Sequence, residues 1–270
     1  MSDPRSLAAL GLLDPPPATL PLTYPGAAPE TSGLLLDRRF LEIDPVPGRP
    51  VGDWDVRADA DKPTVDKMLR GVPVVEMAGR RPVVAVGSNA SPAQLIRKFG
   101  SRDVSTVVPM VRCRVDGIAP GISAHINRHG YVPAAPVEVP GETNTLFALW
   151  LDDTQLAALD ETEPNYRRVE LTPDFAVRSA TGEHVGPCSI YVGRWGCLAD
   201  PDGTPWRLVP QRELIDRLLA RVPDLRALLG TTPESFTELA ADESRRERAV
   251  GLLKRAGLVV AQRRLEELGR

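Results

Sequence analysis

The stretch TLFALWLDDTQLAALDETEPNYRRVEL, Thr145 to Leu171, sets a strand, a short helix and a second strand in immediate succession. Thr145 to Leu151 is strongly apolar and long enough for one buried strand. Asp152 with Gln155 three residues on makes a capping box, and Leu156 with Leu159 gives a helix starting near Asp153 one apolar stripe. That helix cannot run far: Pro164 has no amide proton to donate and disfavours the α conformation for its predecessor, so Glu163 is expected in turn or extended geometry. Tyr166, Val169 and Leu171 then lie among charged neighbours in a short β-type run. Taken alone, Asp160, Glu161 and Glu163 are a solvated acidic corner of the kind that covers any surface. A carboxylate released at an abrupt helix end, just ahead of a strand, is also placed to do chemistry.

The upstream segment RPVVAVGSNASPAQLIRKFG, Arg81 to Gly100, supplies a second part. Pro82 to Val86 has the pattern of a buried strand, and Gly87, Ser88 and Asn89 make a tight turn. Ser91 is an N-cap candidate with Gln94 completing the box, Pro92 suits the first helical position, and Gly100 is a natural stop. Strand, glycine turn and helix start together aim several backbone N–H groups at one spot, which is an anion site in waiting.

Val86-Gly87-Ser88-Asn89, the strand LFALWL, Leu159-Asp160-Glu161-Thr162-Glu163 and Tyr166-Arg167-Arg168-Val169 follow one another in an order that resembles the γ-glutamylcyclotransferase family. The family pattern is a strand ending in YGSN and a helix, then an apolar strand, a short helix ending in LDxxEG and a YxRxxV strand. The resemblance spans about Val83 to Val192, and the ordered combination is more specific than any single motif. Two positions depart from it: Val86 stands where the pattern has tyrosine, and Pro164 where it has glycine. The implied fold is α+β, a small mixed β-barrel or strongly curved sheet with helices outside and a C-terminal helical extension.

The implied chemistry is intramolecular amide cleavage. The α-amine of a γ-glutamyl amide attacks its own γ-carbonyl, closing a five-membered ring and releasing 5-oxoproline and a free amine. The tethered nucleophile supplies proximity, so the resemblance implies no cofactor and no metal. Glu163 is implied as general acid and base, the amides around Gly87, Ser88 and Asn89 as the groups that hold the anionic parts, and Val86 as a further substrate contact. Tyr166 and Arg168 are candidate substrate contacts, since guanidinium grips carboxylate with two prongs; strand alternation lets at most one of Arg167 and Arg168 face the pocket. The expected partner is a small γ-glutamyl amide or peptide. The competing expectation is a catalytically idle relative that binds a small metabolite or a protein through the same groove.

Rival sites have less behind them. Ser88 lacks the flanking glycines of a nucleophile elbow, having Val86 and Ala90 instead. His125 and His129 are four apart but sit in a turn-like run, SAHINRHGYVP, without an HExxH glutamate. Cys113, Cys188 and Cys197 have no CxxC spacing and read as reduced thiols. Trp150, Trp195 and Trp206 suit core or lid packing, because no basic, aromatic-interleaved run accompanies them. With 270 residues, 42% of them apolar, the chain can bury a substantial core, and a net charge of −3 argues against a general nucleic-acid binder. No apolar run approaches a membrane span and the first residues lack a secretory pattern, so the expected location is the cytoplasm.

Three regions are expected. Residues 1–78 form a proline-rich arm on the core: ten of the 27 prolines precede Trp54, which suggests an extended, largely irregular course, with a short helix over Pro63 to Met77 leading into the first strand. Residues 79–209 are the catalytic core. Residues 210–270 are helical, with Leu214, Ile215, Leu218, Leu219 and Val222 at helical spacing and breaks at Pro223, Gly230, Pro233 and Gly257. A helix-turn-helix DNA binder is the alternative use of that tail. Twelve basic against ten acidic residues from Gln211 onward give it little support, and packing on the core, covering the site or an oligomer contact fits better.

Overall fold

The apolar run at 145–151 is the end of a much longer strand. A computed structural model, which describes residues 3–58 and 62–268, shows the chain built around one long hairpin. Met1 and Ser2 of the expected arm, residues 59–61 and the last two residues of the C-terminal extension lie outside the described residues.

In chain order the elements begin with β1 (Gly33–Leu36), β2 (Arg39–Asp44) and β3 (Asp55–Val56), followed by α1 (Val65–Arg70), β4 (Arg81–Ala85) and α2 (Pro92–Gly100). The hairpin is β5 (Val108–Ile122) and β6 (Ala134–Leu151). Then come α3 (Asp153–Thr162), β7 (Tyr166–Glu170), β8 (Val177–Arg178), β9 (Ser189–Gly193) and β10 (Cys197–Leu198). The C-terminal part is α4 (Gln211–Arg221), α5 (Pro223–Leu229), α6 (Pro233–Leu239), α7 (Glu243–Arg255), β11 (Val259–Val260) and α8 (Arg263–Glu267).

Among the described residues, nine strands make one mixed sheet in the order β3-β2-β1-β5-β6-β4-β9-β7, with β8 also paired to β5. Only β4 and β9 run parallel, matching Val83 with Ser189 and Val84 with Ile190. The sheet is curved and open, with β3 and β7 as its ends, so the closed-barrel alternative does not hold. Curvature has a local cause. β5 and β6 pair from Met110↔Leu149 to Ile122↔Ala134, but the register slips between Asp116 and Ile118. Gly117 sits in that bulge at φ 72°, a conformation glycine adopts without a Cβ clash. Beyond the bulge the hairpin turns its side chains to a different set of partners.

The proline-rich N-terminal region is less irregular than its composition suggests. β1 pairs with β5, for example Leu34 with Pro109, and β1 with β2 forms a short hairpin whose Leu34, Leu35, Leu41 and Ile43 are all buried. Prolines 45, 47 and 50 fall after β2, between strands rather than within one. The helix expected over Pro63 to Met77 is confined to Val65–Arg70, capped by the Thr64 side chain, with a separate 3₁₀ turn at Met77–Gly79.

Two cores flank the bulge. One packs Val111, Cys113, Val115, Ala148 and Trp150 with Trp54, Leu69 and Ile190. The other joins Ile122, Ala124, Ile126 and Val132, at the far end of the hairpin, to Leu214, Leu218, Leu225, Phe236 and Leu253 of the C-terminal helices. The C-terminal elements follow the Pro and Gly punctuation closely, except that Val259–Val260, just beyond Gly257, is a strand that pairs with β10. No helix among the described residues is long and apolar enough to cross a membrane.

Candidate functional site

Glu163 occupies the position its local sequence dictates. The Asp152–Gln155 capping box starts α3, and Pro164 ends it, leaving Glu163 as the C-cap at φ −116°, ψ 49°. Its carbonyl accepts the Tyr166 N–H at 3.0 Å, closing the turn that leads into β7. The side chain is turned inward and only 13% exposed. Oε1 accepts from Asn89 Nδ2 at 3.1 Å and from Lys98 Nζ at 2.7 Å, while the same ammonium donates to Asn89 Oδ1 at 2.7 Å. Three side chains from the GSN turn, α2 and the end of α3 therefore close a ring around one carboxylate oxygen. Oε2 accepts no hydrogen bond among the described residues.

The GSN turn is a 3₁₀ turn, Ser88–Ala90, directly after β4. The N–H groups of Ser88 and Asn89 have no backbone acceptor among the described residues. Gly87 is required by space: a Cβ there would lie 2.7 Å from the Ala134 methyl and 2.8 Å from the Tyr24 hydroxyl. The expected Ser91 capping box does not form. The Ser91 hydroxyl is instead buried against Gly26, where a Cβ would stand 3.0 Å from it, so packing of the N-terminal segment claims the side chain that would have capped α2.

Val86, Gly87, Ser88, Asn89, Glu163 and Tyr166, all singled out from sequence, line one recess of about 30 Å³. It adjoins a cleft of about 600 Å³ in which Tyr24, Ser88, Glu163 and Tyr166 also take part, together with Lys98, His125 and Tyr131. That volume is in the range of small-molecule sites. Another hollow, of about 630 Å³, runs along Val72–Glu76 and Asp152 and shares no lining residue with the cleft.

Arg168 does not join them. Its guanidinium forks onto Asp160, both contacts at 2.9 Å, and the Tyr191 hydroxyl donates to the same carboxylate at 2.8 Å. The pairing holds the Asp160 carboxyl below the usual carboxylate range. Arg168 is thus spent on fixing α3 to β7, a use that sequence spacing does not separate from ligand binding. Arg167 donates to the Glu266 carbonyl at 2.6 Å and lines neither cavity.

Several cleft residues were not foreseen. Lys98 lies nine residues beyond Asn89, and only the direction of α2 brings it back over the turn. Tyr24 comes from the N-terminal region, stacked on Tyr131 with ring centroids 4.5 Å apart and planes 13° from parallel. Burial pushes the Tyr24 and Tyr166 phenols well above their ordinary value and Tyr131 up to about 12, so all three are neutral donors at physiological pH. The Tyr166 hydroxyl donates to the Ala134 carbonyl at 2.7 Å. His125, whose spacing to His129 offers only a metal-ligand reading in sequence, is another such cleft residue. Here it is 4% exposed, its Nδ1 lies 2.7 Å from Ser123 Oγ, and its Nε2 is buried without a partner. Burial pulls its pKa down to about 4, and its ring stacks on Trp195, which is 41% exposed and held by its indole N–H to the Asn165 side chain. Trp150 and Trp206 are core residues.

Among the described residues no group of three or more His, Cys, Asp or Glu side chains could hold a metal ion. The three cysteines are free and buried, with burial pushing each thiol up to about 12. Such thiols serve packing rather than nucleophilic chemistry.

No protein-family model matches the chain, and no curated protein matches it in sequence. Among solved structures the chain is similar to a gamma-glutamyl cyclotransferase at 14% identity, covering 63% of this chain and 98% of that one with a TM-score of 0.36. It is similar to an Arabidopsis thaliana protein solved in solution at 18% identity, covering 56% and 82% with a TM-score of 0.35. An uncharacterized Homo sapiens protein is similar at 16% identity, covering 43% and 67% with a TM-score of 0.35.

Proposed function

We propose that the protein cleaves a γ-glutamyl amide by cyclisation, releasing 5-oxoproline and an amine. The observation that carries this reading is the 3.1 Å hydrogen bond from Asn89 to Glu163, which joins the GSN turn to a helix-end carboxylate 74 residues away. These are the two parts that the ordered motifs single out.

The chemistry asks little of a protein beyond holding and proton traffic. The substrate's α-ammonium must lose a proton to become a nucleophile, and Glu163 Oε2 is the free carboxylate oxygen beside the recess. The neutral α-amine attacks the γ-carbonyl carbon, forming the ring C–N bond and placing negative charge on the carbonyl oxygen. Collapse of that intermediate breaks the original amide bond as the protonated Glu163 returns its proton to the departing nitrogen, and the ring nitrogen sheds its second proton through the same carboxylate to the freed amine, which leaves as an ammonium. Lys98 and Asn89 hold Oε1 throughout, which fixes the carboxylate's direction without consuming the oxygen that works. The Asn89 amide, lacking a backbone acceptor, suits the developing oxyanion or the substrate carboxylate.

Incubation with γ-glutamyl amines, γ-glutamyl peptides and glutathione, with 5-oxoproline as readout, tests this reading. Glu163→Gln in folded protein should lower turnover by roughly 10²–10⁴-fold; unchanged turnover sinks the assignment. The Glu163–Lys98 ion pair favours a second reading, a site that binds a small metabolite without turning it over. Tight binding of 5-oxoproline with no release of it from any γ-glutamyl amide would select that second reading.

A further inference from the structure

We propose that Tyr24, delivered by the N-terminal segment, is a catalytic residue of this site, its phenol donating a hydrogen bond to the carbonyl oxygen that becomes negative during cyclisation. The inference rests on the reading above and adds to it a residue that lies outside every motif.

The argument begins with protons. The Tyr24 oxygen accepts the Ala134 N–H at 2.8 Å, which uses a lone pair and leaves the phenolic proton uncommitted. Three tyrosines surround the recess. Tyr166 gives its proton to the Ala134 carbonyl and Tyr191 gives its own to Asp160. Among the described residues, Tyr24 is the one of the three whose proton has no acceptor. Of the other polar side chains at the recess, the Asn89 amide is turned to Glu163 and the Ser88 hydroxyl, a shorter and rotatable donor, has no ring to fix its direction; Val86 offers no polar atom. A phenol that is 6% exposed and lacks an acceptor for its proton carries a cost that a ligand oxygen would remove.

Size and placement agree. A volume of about 30 Å³ holds one or two oxygen atoms but no γ-glutamyl group, so the recess suits a single carbonyl or carboxylate while the larger cleft takes the remainder. The Tyr24 hydroxyl is held against the GSN turn because Gly87 has no Cβ: one there would lie 2.8 Å from the phenol oxygen. Stacking on Tyr131 fixes the ring, and the Ala134 amide fixes the oxygen. The donor is therefore positioned before substrate arrives, which is the condition under which an oxyanion donor accelerates the chemical step.

The test is steady-state turnover of the full-length chain with Tyr24→Phe, which keeps the ring and its stacking. The expected result is a fall in kcat of roughly 10²–10³-fold, with KM changed by less than about threefold. Replacing Tyr24 with 3-fluorotyrosine, which keeps the hydroxyl and its Ala134 bond, should restore kcat to within about tenfold of wild type. Far-UV and thermal melts of both variants confine the comparison to folded protein. Wild-type kcat in Tyr24→Phe overturns the inference while leaving the cyclotransferase reading intact, and so does a rise in KM with kcat unchanged. A wild-type protein that releases no 5-oxoproline from any γ-glutamyl amide overturns the cyclotransferase reading itself, and this inference with it.

Discussion

Lys98 sets what Glu163 can do. Its ammonium, 19% exposed, spans the carboxylate and the Asn89 amide oxygen, so it acts as the rivet between the GSN turn and the end of α3. Replacing it with methionine preserves the stem's packing and removes the charge, leaving a mostly buried carboxylate with one neutral donor. Lys98→Met should cost roughly 2 kcal/mol of unfolding free energy in urea, below the full penalty for breaking a wholly buried pair because both groups retain some contact with water. Turnover should fall as well, since the Glu163 rotamer loses its anchor. An unchanged urea midpoint would show the pair to be incidental. His125 makes a separate prediction about pH. Its imidazole titrates near 6.5 when unfolded and at about 4 when buried in the native protein. Between those values the unfolded chain binds a proton that the folded chain does not, so this residue's contribution is intact above pH 6.5 and is lost as pH falls toward 4. The loss amounts to about 3 kcal/mol at most. In His125→Asn, whose amide oxygen can still accept from Ser123, the drop in unfolding free energy between pH 7 and pH 4 should be smaller by about that amount. An equal drop in both proteins would mean that the native imidazole titrates at its unfolded value.

At the scale of elements, α3 shows how a helix start and the Glu163-bearing helix end are coupled. Gln155 closes the capping box, accepts from the fully buried Arg80 guanidinium at 3.0 Å, and donates to the Ser105 and Val107 carbonyls at 2.8 and 3.0 Å. Gln155→Ala removes the reciprocal cap and leaves buried carbonyls and part of a guanidinium short of partners. The expected cost is roughly 2–3 kcal/mol by chemical denaturation, with a loss of turnover as the last turn of α3 frays beneath Glu163. A cost below about 0.5 kcal/mol would show that α3 is set by its apolar stripe alone. The same helix explains what was legible. Asp152, Gln155 and Pro164 determine α3 through local rules, and Pro223, Gly230 and Pro233 do the same for the C-terminal helices, so those bounds follow from sequence. β1 and β2 were obscured because the surrounding prolines dominate composition, although no proline lies within either strand. The hairpin is legible only at the apolar end of β6, since the first half of β6, from Ala134, carries Pro136 and Pro140, and β5 carries Pro109 and Pro120. In the site, Glu163 and the GSN turn were visible as motifs. Lys98, Tyr24 and His125 were not, because what places them is helix direction, a segment distant in sequence and a loop packed on other helices.

Across the whole molecule, the cleft wall belongs to the two ends of the chain as much as to the sheet. His125, Asn127 and Tyr131 lie on the connection between β5 and β6, whose Ala124, Ile126 and Val132 are packed into the C-terminal core. Gln211, at the start of α4, grips that connection from both sides, accepting from the Val132 N–H at 2.9 Å and donating to its carbonyl at 2.8 Å. Leu22, next to the segment that delivers Tyr24, packs on the same core. This makes the C-terminal helices a brace for the site, and the brace can be loosened without touching the cleft. Leu218 is fully buried in that core and lines no part of the cleft. Leu218→Ala should cost roughly 2–5 kcal/mol through lost burial and the cavity left behind. Hydrogen exchange measured by mass spectrometry should then quicken over residues 123–133 as well as within α4, while β4 and α2 keep their protection. KM for any substrate should rise more than kcat falls, because the wall that shapes the cleft is loosened while Glu163, Asn89 and Lys98 stay in place. Faster exchange confined to α4, with 123–133 as protected as in the wild type, would show the C-terminal helices to be an independent unit with no hold on the site.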